Sequence, residues 1–98
     1  MEIKKDLNGT DLTMGLVGRL DTTTSPELEE ELNASLEGVT ALTFDFSDLE
    51  YISSAGLRVL LTAQKKMNKQ GSMVIKNANE AIVEIFEVTG FSDILTVE

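Results

Sequence analysis

Along residues 41–70 the hydrophobic period changes once, from two to about 3.6. Leu42, Phe44 and Phe46 alternate with Thr43 and Asp45, which predicts a strand over 41–46 with one buried face. From Ser54 onward, Leu57, Val59, Leu60, Ala63 and Met67 recur at helical spacing, and Gly71 closes the run. A strand that feeds a long helix must be followed by an element that returns the chain to the sheet. "SMVIKNA" supplies it as a short buried strand. Such a strand–helix–strand unit implies a parallel sheet with a helix packed on it.

The flanking sequence extends this unit in both directions. "EIKKDLNGTDLTMGLVGRL" reads as a hairpin, with Asn8-Gly9 at the turn and Leu12, Met14 and Leu16 alternating on the return strand. "TSPELEEELNASLEG" reads as a helix. Ser25 is its expected N-cap, Pro26 its first helical residue and Gly38 its C-cap. Leu28, Leu32 and Leu36 fall four apart on its apolar face. "NEAIVEIFEVTG" predicts a third helix, with Ile82, Ile85 and Phe86 on one face and Gly90 closing it. "DILTVE" predicts a last short strand. The order β-β-α-β-α-β-α-β predicts a single α/β domain over residues 1–98. An N-terminal β-hairpin precedes alternating βα units in a mostly parallel sheet.

Residue types that are missing exclude several functions. The chain has no cysteine and no histidine. Disulfides, structural zinc, thiol nucleophiles and the histidine-dependent serine triad are therefore out of reach. The net charge of −9 repels phosphate backbones and anionic lipid, which argues against direct nucleic-acid or membrane binding. No stretch approaches the roughly 18 apolar residues of a membrane span. The N-terminus lacks the apolar core of a signal peptide, so the cytoplasm is the expected location.

Chemistry concentrates at the junction "DLEYISSAGLRVLL". The loop after a parallel strand lies at the carboxyl edge of the sheet, where α/β folds place their sites. Asp21, following the preceding strand, is expected at the same edge, and Asp48 in the same loop. One of Ser53 and Ser54 suffices as an N-cap for the helix. Gly56 in the first helical turn costs up to about 1 kcal/mol relative to alanine, so its missing side chain should serve a close approach. Small neighbours leave the Ser54 hydroxyl sterically open. Leu57 and Leu61 widen the apolar arc of this helix to roughly 200°, beyond the ~100° that packing on a sheet requires. That edge, flanked by Arg58, is expected to face either a neighbouring helix or a partner.

These residues resemble a known family. "GRLDTTTSPEL" and "FDFSDLEYISSAGLRVLL" are similar to the anti-sigma factor antagonists, the bacterial STAS domains. Gly18-Arg19-Leu20-Asp21 matches the family's Gly-x-Leu-Asp element, and Ser53-Ser54-Ala55-Gly56-Leu57 matches its phosphoacceptor motif. The resemblance implies a STAS-type fold and no enzymatic activity or cofactor. It implies regulation of transcription by partner switching. An antagonist binds an anti-sigma factor that is also a serine kinase, and the sigma factor is released. The kinase phosphorylates one serine of the antagonist, and a phosphatase restores it. By position that serine is Ser54, and Asp21 matches the aspartate beside it. Partner contacts are expected from Asp21, Thr22 and Ser53 on the loop side. On the helix they are expected from Ala55, Gly56, Leu57, Arg58 and Leu61. The chain is expected to be a monomer or weak dimer. Where many antagonists carry aspartate, this chain has Ser53.

Two other readings compete. Asp45 and Asp48, three apart at a strand end, could hold a metal as in a receiver domain; a strand-end and turn role accounts for the same pair. Alternatively the chain is a STAS interaction subunit that is not phosphorylated, for example in a lipid-transport complex.

Overall fold

The structure, a computed structural model, describes all 98 residues. The chain runs β1 (Glu2–Asn8), β2 (Asp11–Leu20), α1 (Ser25–Ser35), β3 (Ala41–Ile52), α2 (Ser54–Gln70), β4 (Ser72–Lys76) and α3 (Glu80–Val88). A 3-10 turn, Phe91–Asp93, follows. The four strands lie in sequence order. β1 pairs antiparallel with β2, and β2–β3 and β3–β4 pair parallel. In the turn between β1 and β2, Gly9 takes φ +65°, a conformation glycine adopts without cost.

A sheet that grows in one direction with crossovers of one hand carries its crossover helices on one face. Burial agrees. Leu12, Met14 and Leu16 of β2, Leu42, Phe44 and Phe46 of β3, and Met73 and Ile75 of β4 point to the same side. There they join Leu28 and Leu32 of α1, Leu60, Ala63 and Met67 of α2, and Ile82 and Phe86 of α3 in one apolar cluster. The opposite face keeps Thr13 exposed and Gly15, Val17, Thr43 and Val74 half-buried. No helix of the molecule is long and apolar enough to cross a membrane.

Four details differ from the sequence expectation. The strand read as 41–46 continues to Ile52. β2 advances five residues from Gly15 to Leu20 while β3 advances seven from Asp45 to Ile52, so β3 carries two bulged residues. Each bulge resets the alternation, and burial falls on Phe46, Leu49 and Ile52 at intervals of three. A pattern of period two cannot be followed through that.

The first helix is also shifted. Its N-cap is Thr24, which makes no side-chain cap bond, and Ser25 is already helical. The Ser25 hydroxyl instead donates back to the Asp21 carbonyl at 2.5 Å. The helix ends at Ser35 with Leu36 as C-cap, so Gly38 lies beyond it. The final strand shrinks to one bridge, Val97 against Ile75, with Leu95 buried beside it.

Candidate functional site

Leu20 and Ile52 are register partners at the ends of parallel strands β2 and β3. The Ser53 N–H donates to the Leu20 carbonyl at 2.9 Å. Asp21 and Ser53 thus each lie one residue past a shared pair, at the carboxyl edge of the sheet. The expected juxtaposition of these two elements holds. Asp48 does not join them. It sits within bulged β3 opposite Val17, because the strand continues where a loop was expected.

Asp21 organises the turn into α1. Its Oδ1 accepts from the N–H groups of Thr23 at 3.0 Å and Thr24 at 3.1 Å. The Thr24 hydroxyl accepts from the Asp21 N–H at 2.9 Å and donates to the Arg19 carbonyl at 2.8 Å. The Thr24 N–H holds the Asp21 carboxyl below its ordinary value; Thr23, the Thr24 hydroxyl and Arg19 add to this, against a desolvation effect. Arg19 reaches Asp21 Oδ2 at 3.9 Å and stacks over the Tyr51 ring at 4.5 Å. Asp21 therefore has a structural job at the mouth of the site. Tyr51 belongs to this corner too, and only the β2–β3 register could have placed it there.

The two serines divide their roles. Ser53 is the N-cap of α2, with φ −98° and ψ 175°, and its Oγ accepts from the Gly56 N–H at 3.4 Å. The Leu57 N–H donates to the Ser53 carbonyl at 2.9 Å. Ser54 is the first helical residue and is exposed. With Ser53 capping the helix, the Ser54 hydroxyl is free of that duty and open to solvent.

Gly56 and Leu57 do not present a docking surface. A Cβ on Gly56 would lie 2.8 Å from Leu20 Cγ and 2.9 Å from Ile52 Cγ1. The close approach that the glycine allows is therefore the core's own, and the residue is buried. Leu57, expected at a partner edge, is only 5% exposed and belongs to the core. Leu61 is half-buried, and Arg58 is exposed. The wide apolar arc of α2 is mostly spent inside the domain.

What the site does offer is an open groove of about 370 Å³ between α1 and α2. Thr22, Ala55 and Arg58 line it. Across it stand Glu29, Glu30 and Asn33 of α1. Half-buried Asp45, the other metal candidate, lies in β3 opposite Gly15 and Lys76. Its Oδ1 is engaged by the Ser47 N–H at 3.0 Å and Asn77 Nδ2 at 3.1 Å, which is the turn role.

The family model for the STAS domain matches residues 2–98. The chain belongs to the STAS domain family. Among sequence relatives of this STAS domain, the anti-sigma-B factor antagonist of Bacillus subtilis (strain 168) is 31% identical over 100 residues. That match covers 99% of this chain and 92% of the relative. These similarities put the chain in the anti-sigma factor antagonist family, whose members are non-enzymatic regulators. An anti-sigma factor antagonist from Mycobacterium paratuberculosis superimposes with a TM-score of 0.88 at 22% identity, over 98% of this chain and 83% of that one. The antagonist SpoIIAA matches in its unphosphorylated form (TM-score 0.78, 14% identity, 99% and 87% covered). Its phosphorylated form matches as well (0.77, 15%, 99% and 91%). These structures share the STAS fold.

Proposed function

We propose that this STAS domain binds an anti-sigma factor that is also a serine kinase, frees the sigma factor for transcription, and is switched off by phosphorylation of Ser54. A phosphatase would reverse the switch, and the cycle would run in the bacterial cytoplasm. The observation that carries this reading is the exposure of Ser54 at the start of α2, beside a neighbour that already caps the helix.

The chemistry suits a local switch. A phosphate on Ser54 would meet the free N–H groups and the positive dipole end of α2, which accommodate an anion. It adds about −1.5 to −2 charges at pH 7, beside Asp21 on a chain of net charge −9. A partner adapted to an uncharged hydroxyl would then face a dianion to desolvate and repel. Both forms of SpoIIAA resemble this chain almost equally, which fits a switch that leaves the backbone in place.

Serine in place of aspartate at position 53 fits the same reading. Serine and aspartate rank together as N-caps, so the cap is kept while one negative charge next to the phosphoacceptor is lost.

A pull-down with wild type, Ser54→Ala and Ser54→Asp tests the proposal. The first two should capture a kinase-like anti-sigma partner, and the third should capture little or none. Equal capture by all three rejects the switch. Incubation of the captured partner with ATP should label wild type but not Ser54→Ala; labelled Ser54→Ala would move the modification to Ser53.

A further inference from the structure

Arg58 stands out among the cations near the site. It is exposed and lines the groove opposite Glu29 and Glu30. It takes part in none of the ion pairs of the molecule, which are Lys5–Glu31, Arg19–Asp21 and Lys76–Glu98. It also lies four residues after Ser54 within one continuous helix. Residues at that spacing are neighbours on a helix surface, with Cβ atoms about 5–6 Å apart. Helical side chains lean toward the N-terminus, so the arginine stem inclines over the turn that carries Ser54. An acid preceding a base by four residues is the favourable order for an ion pair.

We propose that Arg58 is the internal partner of a phosphate on Ser54, a role that rests on the phosphorylation reading above. The guanidinium donates two parallel N–H bonds to phosphate oxygens. Modification of Ser54 then does two things together. It places a dianion at the start of α2, and it engages Arg58, the only cation among the residues that line the groove with Glu29 and Glu30. The groove lining is left with Glu29 and Glu30 and no free cation at the moment the start of α2 becomes anionic. A partner that used either feature loses both.

The test uses the full chain with phosphoserine installed at position 54 by genetic encoding, so no kinase is required. The phosphate signal is followed by 31P NMR from pH 4.5 to 8.5, in wild type, Arg58→Gln and Arg58→Lys. The ordinary second pKa of phosphoserine is about 6. Asp21, Glu29 and Glu30 face the same region in all three proteins, so their effect cancels in the comparison. The pairing lowers the midpoint of wild type by about 0.4 pH unit relative to Arg58→Gln, about 2.5-fold in proton affinity. Lysine should recover part of the shift, and 1 M salt should shrink it. Equal midpoints in wild type and Arg58→Gln overturn the pairing. The titration needs no anti-sigma factor, so its failure and the failure of the pull-down are separate results.

Discussion

Gly56 and Leu20 are fitted to each other: a Cβ at position 56 would stand 2.8 Å from Leu20 Cγ, closer than packed carbons allow. Leu20 is wholly buried at the end of β2. Their contact sets the height at which α2 leaves the sheet, and with it the position of Ser54 two residues earlier. The glycine of the Ser53–Leu57 stretch thus acts by packing.

Gly56→Ala should accordingly destabilise the domain although alanine is the better helix former. The propensity gain is about 1 kcal/mol, and overpacking costs about 1–3 kcal/mol. A net loss in urea unfolding is expected. In a double-mutant cycle with Leu20→Ala, the pair should cost less than the sum of the singles, because the truncated leucine makes room. Strict additivity would show that the two side chains do not compete for space.

Gly71 presents a harder case. A Cβ there would lie 1.8 Å from the Thr40 carbonyl oxygen, and that oxygen is fixed by the Ser72 N–H at 2.9 Å. Backbone cannot step aside as a side chain does. Gly71→Ala should cost more than Gly56→Ala, and its effect should appear as disturbed amides along the β3–β4 start at Ala41 and Ser72. A variant as stable as wild type would mean that the link between α2 and β4 is placed differently.

The neighbouring serines should separate cleanly in stability. Ser53→Ala removes the α2 cap, which typically costs about 1 kcal/mol; the 3.4 Å bond argues for the lower part of the range. Ser54→Ala, at an exposed helical position, should stay within about 0.5 kcal/mol of wild type. Chemical denaturation of both variants decides it. If Ser54→Ala were the costlier change, Ser54 would be the structural serine.

How far these features could be read in advance depended on whether they were local. The hairpin, the leucine ladder of α1 and the βαβ unit follow from periodicity, and the structure keeps all three. β3 beyond Phe46 did not, because two bulges break the alternation that identifies a strand. Gly56 announced a close approach in the sequence. Whether a ligand or Leu20 and Ile52 made that approach depends on strand register, which no local pattern records. Leu57 was misplaced for a related reason: an apolar arc gives its width but not which part the domain itself covers. The start of α2 stayed legible because a cap at Ser53 and a first helical residue at Ser54 are both encoded within a few residues.

Three carboxylates predict the acid behaviour. Asp21 is lowered from 3.8 foremost by the Thr24 N–H, Glu31 from 4.5 foremost by Lys5, and Asp45 from 3.8 foremost by Asn77. A group whose pKa falls on folding stabilises the folded state fully above its unfolded value. That contribution is lost as the pH drops through the folded value. These three therefore hold the fold undiminished above about pH 5 and withdraw below about pH 4. Urea midpoints at constant ionic strength should therefore stay level from pH 7 to about pH 5 and fall below about pH 4. Asp45→Asn keeps an acceptor for Asn77 and Ser47 but cannot titrate, so its acid limb should be shallower than that of wild type. Parallel limbs would mean that the Asn77 contact does not hold this carboxylate in the folded chain.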